Sequence, residues 1–80
     1  TRADARRQLI EAISDAPITD QFAIVKALND LAGVYKDSAA VRAHQGAEDK
    51  AYAYIRMAEE TGQVAAGVIA TLQNKFEGLA

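Results

Sequence analysis

Ile55, Ala58, Gly62, Ala65, Ile69, Leu72, Phe76 and Leu79 follow one another at alternating steps of three and four residues. On an α-helix this spacing lines the side chains into one stripe that can pack lengthwise against a partner helix. A β-strand needs a period of two, so the stripe also excludes strand for this half of the chain. Its residues are mostly small at one end and large at the other, which governs how closely a partner can approach. The pattern concerns packing and carries no chemistry of its own.

The chain has 80 residues, enough for one domain spanning 1–80. A domain of this size buries only about 60% of the surface its unfolded chain exposes, so its core needs reinforcement. Disulfides are excluded because there is no cysteine, and a structural zinc site is excluded because His44 is the only soft ligand. Helix packing or self-association remains. The longest nearly unbroken apolar stretch, Val64 to Leu72, falls far short of the ~20 residues that span a bilayer. Net charge is −2, with acidic and basic residues well mixed, so neither a nucleic acid nor a membrane surface is the expected partner. The absence of cysteine fits a reducing, cytoplasmic setting. The chain opens on Thr1 without a methionine and reads as a processed start or an excised piece.

Three helices are expected, over about 3–14, 20–45 and 47–78, the last two long and antiparallel. Leu9, Ile10 and Ile13 form the apolar face of the first, with Arg7 and Glu11 placed to pair on its solvent side. Asp15-Ala16-Pro17-Ile18-Thr19-Asp20 is the clearest boundary. Proline disfavours helix at the residue before it, and Thr19 or Asp20 is expected to cap the next helix, with Ile18 stapled onto a residue such as Ala23. The second helix carries Phe22, Ile24, Val25, Leu28, Leu31, Ala32, Val34 and Tyr35, a face wide enough for two neighbours, with a kink allowed near Asp37. Gly46 after His44-Gln45 is placed to close it in left-handed geometry. In the third helix Gly62 and Gly67 each cost about 1 kcal/mol relative to alanine. The small residues around them, Ala65, Ala66 and Ala70, offset this if another backbone comes close.

No constellation supports catalysis. Ser38 and His44 are about 240° apart around a helix, so they do not form a nucleophile–base pair. There is no Glu-x-x-His pair for a dinuclear metal site in a bundle. The expectation is a non-enzyme with no cofactor and no metal. Asp37-Ser38 resembles the phosphopantetheine site of acyl carrier proteins. That resemblance covers two residues only, and Ala39-Ala40-Val41-Arg42 departs from the large apolar residue and acidic helix that follow the serine in that family.

Met57 to Val68 is similar to a helix-turn-helix, with Ala58, Gly62 and Val68 at its small, turn and core positions. Its recognition helix would present Ala65, Ala66, Gly67 and Ala70 to DNA, with Lys75 the one basic residue, and so lacks the usual electrostatic footprint. Tyr52 and Tyr54 flank the stripe on different sides, suited to partly buried edges. The expected object is an all-α, three-helix domain whose two long antiparallel helices pack through the stripe either within the chain or against a second copy, self-association then completing the core. Its expected role is a non-catalytic protein–protein interaction or assembly module: a subunit, adaptor or protein inhibitor. The expected interface comprises Tyr52, Tyr54 and the eight stripe residues. A helix-turn-helix DNA-binding domain using 57–79 is the alternative.

Overall fold

Alanine recurs at every seventh residue in both long segments, at Ala32 and Ala39 in one and at Ala51, Ala58 and Ala65 in the other, and all five are buried. Small side chains on facing stripes let two helices approach closely over their length. The computed structural model, which describes residues 1–79, is built on that contact. Helix α1 spans Arg2–Ser14, α2 Ile18–His44 and α3 Glu48–Leu79. Most contacts between elements join α2 to α3, and α1 touches α3 more than α2. No strand occurs among the described residues, so the expected all-α, three-helix architecture is the one formed. Among the described residues no helix is long and apolar enough to cross a membrane.

The α2 seam runs through Gln21, Val25, Leu28, Ala32, Tyr35, Ala39 and Arg42, at alternating steps of four and three, every one buried or half-buried. On α3 the seam is Ala51, Tyr54, Ala58, Thr61, Ala65, Val68 and Leu72. Only Ala58, Ala65 and Leu72 belong to the stripe read from the sequence. The other half of the observed seam lies to the opposite side of these three. The reason is α1. Its Ile10 and Ile13, with Leu28, pack on Val25, Ala65, Val68 and Leu72. The common core is therefore displaced toward α1, and it takes in Val64 and Val68 in place of Ile55 and Ile69.

Helix α1 runs parallel to α3, because Arg6 pairs with Glu60, Ile10 sits over Gly67 and Lys75 reaches Ser14 in ascending order on both helices. Its start is a capping box, in which Asp4 N–H donates to Thr1 Oγ1 at 3.1 Å and the Asp4 side chain answers back. Arg7 bonds Asp4 at 3.2 Å; the pair expected with Glu11 is not formed. Gly67 makes room for the helix. A Cβ there would coincide with the Ile10 side chain, whose Cγ1 lies 3.0 Å from that point.

Helix α2 begins two residues earlier than expected. Pro17 is its N-cap, with extended geometry and no side-chain bond, so neither Thr19 nor Asp20 caps it, and Ile18 lies inside the helix where it cannot act as a staple. Gln21 does the joining. Fully buried, it donates through Nε2 to Ser14 O at 3.0 Å and Ala16 O at 2.8 Å, closing the carbonyl end of α1. Its Oε1 finds no partner among the described residues, which offsets part of that gain. Helix α2 continues unbroken past Asp37 and Ser38 to His44. There Gly46, at φ 77°, takes the left-handed position expected of it. Gly46 N–H bonds Ala43 O at 3.0 Å, and Ala47 N–H bonds Arg42 O at 2.9 Å, the two bonds of a Schellman motif.

The molecule measures 50 × 25 × 18 Å, with a radius of gyration of 14.9 Å. A chain of this length folded to ordinary density would have about 12 Å. The excess arises because α1 covers only the half of the α2–α3 hairpin that lies beyond Glu60, leaving the half near Gly46 two helices thick.

Three outcomes test this packing. Gly33, with open space where a Cβ would go among the described residues, becomes more helical as alanine, and Gly33→Ala raises unfolding stability by about 0.5–1 kcal/mol in urea titration. Gly67→Ala shows no such gain, and pairing it with Ile10→Val, which removes the clashing methyl, recovers it. Gln21→Met keeps the volume but strips the side-chain donor from Ala16 O and leaves Ser14 O with Lys75 alone, and lowers stability by about 2 kcal/mol.

Candidate interaction surface

The expected interface residues separate onto different parts of the molecule. Ala58, Ala65 and Leu72 face α2 in the core and are spent on the fold. Tyr54 is half-buried and stacks on Tyr35, with ring centroids 6.3 Å apart. Tyr52 is exposed and lines a groove on the α1 side. Leu79 is exposed in the last turn of α3. Ile55, Gly62, Ile69 and Phe76 remain, seven residues apart, on another flank.

That flank faces away from α1. Gly62 and Ile69 come two residues after Glu60 and Gly67, which meet α1, and two residues turn a helix by about 200°. The three large side chains are open to solvent: Ile55 is 45% exposed, Ile69 42% and Phe76 45%. Phe22 of α2, also exposed, stacks on Phe76 with centroids 6.3 Å apart and carries the patch onto the second helix. The stripe read as one seam thus merges two. Ala58, Ala65 and Leu72 serve the inside, and Ile55, Gly62, Ile69 and Phe76 form an apolar heptad row with no partner helix among the described residues.

Helix α3 runs through Gly62 without a break, and Thr61 Oγ1 donates to Met57 O at 2.8 Å across that point. Buried Ala58 and Ala65 on either side hold the segment against α2, which compensates for the glycine. The crossing of two short helices that a helix-turn-helix requires is therefore not formed in 57–79. The small residues divide among three faces: Ala58 and Ala65 toward α2, Gly67 under Ile10, and Gly62, Ala66 and Ala70 outward.

On the other flank, a groove of about 780 Å³ opens where α1 ends and the hairpin continues. Leu9, Leu28, Met57 and Val64 supply its apolar wall, and Arg2, Arg6, Arg56 and Glu60 its charges. Arg6 and Glu60 are paired at 3.0 Å. Arg56 keeps its charge at every working pH, its pKa raised from the usual guanidinium value first by the neighbouring Tyr52 hydroxyl and then by Glu59 and Glu60. Nothing in the groove joins a nucleophile to a base. Ser38 lies inside α2 and His44 in its exposed last turn, so neither approaches a catalytic arrangement. No group of three or more His, Asp or Glu that could hold a metal ion occurs among the described residues.

Neighbouring residues report which register is internal. Val68 is 0% exposed and Ile69 is 42% exposed. In dilute solution Val68→Ala costs about 2 kcal/mol of unfolding free energy, whereas Ile69→Ala costs a few tenths. Equal losses in urea titration would place the seam where the sequence pattern alone put it. Compared with known proteins, the chain matches no protein family, no curated protein and no solved structure.

Proposed function

We propose that this chain is a non-catalytic helical module for protein–protein interaction or assembly, acting as a subunit, an adaptor or a protein inhibitor. The observation that carries the reading is the apolar row Ile55, Gly62, Ile69 and Phe76, set at heptad spacing on a continuous helix with its three large side chains open to solvent. Single exposed apolar residues are ordinary on a protein surface; a row repeating every seventh residue is what a partner helix needs. The marginal size of the core adds to it, because a second polypeptide along α3 covers the side of the bundle opposite α1. A helical protein partner fits this surface, and the mixed charge with a net of −2 offers little to a polyanion. The cysteine-free composition agrees with a reducing, cytoplasmic setting.

Affinity purification of the tagged full chain from its own cells tests the reading. The wild type retains a protein, whether another polypeptide or an untagged copy, at near-equal stoichiometry. Ile69→Asp abolishes the retention, while Val41→Asp, at an exposed apolar position on α2, leaves it intact. Retention that is the same for all three chains would end the proposal.

A further inference from the structure

The outward row of α3 has a property that goes past exposure: read backwards, it matches itself. Between its apolar residues, at the intervening steps of three and four, lie Glu59, Ala66 and Gln73, all exposed. Reversing the helix about Ala66 sets Glu59 against Gln73 and Ala66 against itself. It also brings Ile55 within one residue of Phe76 and Gly62 within one residue of Ile69, an offset of about 1.5 Å. Each pairing is physically apt. Two large apolar groups meet at each end, and a carboxylate meets an amide that can donate to it. At Gly62, where there is open space for a side chain among the described residues, the branched Ile69 side chain finds a socket. Alanine at the centre permits close approach of the two backbones.

From this we infer that the partner for the row is a second copy of the same chain, with the two α3 helices packed antiparallel about a two-fold axis at Ala66. The inference rests on the interaction reading above and names its partner. An isologous contact of this kind requires a self-complementary surface, which the reversed row supplies. Parallel pairing fails on the same residues. It would face Glu59 with Glu59 and leave Gly62 opposite Gly62, a like-charge contact beside a void. In the antiparallel arrangement the two Glu59 carboxylates sit about 21 Å apart along the axis, beyond the screening length at physiological salt.

The row lies about 90° around α3 from the α2 seam, so the two hairpins pack face to face into a square four-helix bundle with both α1 helices on the outer faces. The Phe22–Phe76 stack extends the contact at each end. From Ile55 to Phe76 the row is about 32 Å long and buries on the order of 500 Å² per partner, less than the ~800 Å² of a standard stable interface. The dimer accordingly dissociates on dilution.

Sedimentation equilibrium on the purified chain alone reads the assembly. The mass rises with loading from 8.5 kDa toward twice that value. Gly62→Leu fills the socket and weakens association at least tenfold. Circular dichroism keeps its full helix signal, since leucine is a better helix former than glycine, so misfolding does not account for the loss. Adding Ile69→Ala to Gly62→Leu exchanges knob and socket and restores the dimer. The chain has no cysteine, so single introduced thiols report geometry. Ala66→Cys crosslinks to itself under mild oxidation, whereas Ile55→Cys does so only when mixed with Phe76→Cys. A chain that stays at 8.5 kDa at millimolar loading overturns the inference. So does a dimer indifferent to Gly62→Leu, a failed rescue by Ile69→Ala, or self-crosslinking of Ile55→Cys without a partner. If the pure chain is a monomer while the affinity purification retains a different protein, self-pairing falls and the interaction reading stands.

Discussion

The close seating of α2 on α3 is the contact on which everything else depends. Five buried alanines at heptad spacing keep the two backbones near one another along most of their length, so the hairpin is thin. Large side chains in those places would have pushed the helices apart and drawn more apolar surface inward. Because the seam is narrow, Ile55, Ile69 and Phe76 find no room between the helices and stay on the flank. The same narrowness leaves a small core of Val25, Ala65, Val68 and Leu72, which needs Ile10 and Ile13 from α1 to complete it. The outward row and the dependence on α1 are two results of one choice of side-chain size.

The fold class, the number of helices and the turn at Gly46 were legible in the residues, because each follows from local rules: periodicity, proline, and left-handed glycine. The register of α3 was not. Apolar residues lie on both sides of Ala58, Ala65 and Leu72, with Val64 and Val68 on one and Ile55 and Ile69 on the other, and periodicity weighs both alike. The position of α1 decides between them, and that position turns on Gly67 receiving Ile10 across 57 residues of chain. Gln21 was hidden for a related reason. A glutamine near a helix start reads as surface, and its role emerges only once the carbonyls of Ser14 and Ala16 are brought above it. The candidate surface was half visible, since four of its residues belong to the stripe first read from the sequence, while Ala58, Ala65 and Leu72 serve the interior and Leu79 is exposed beyond both.

The two flanks of α3 differ in kind. The α1 side is a groove with arginines on its margin and an ion pair across it, a surface of mixed polarity. The opposite side is a regular row whose only charge within the repeat is Glu59. Regular, charge-poor rows suit helix-on-helix contact, where geometry sets the partner, and irregular charged grooves do not share that discipline. This contrast is why the assembly is assigned to the outward row.

The placement of α1 also orders how the chain folds. Contacts between α2 and α3 begin a few residues either side of Gly46 and extend outward in small increments of loop length, so the hairpin can zip from its turn. The contacts that tie α1 to α3 join residues far apart in sequence: Arg6 to Glu60, 54 positions away, and Lys75 to Ser14, 61 positions away. Closing such loops is entropically costly until the hairpin exists to receive them. Helix α1 is therefore the last piece to dock and, burying no residue completely, the first to leave. Gly67, a notch in the finished structure, is in kinetic terms the landing site that ends folding.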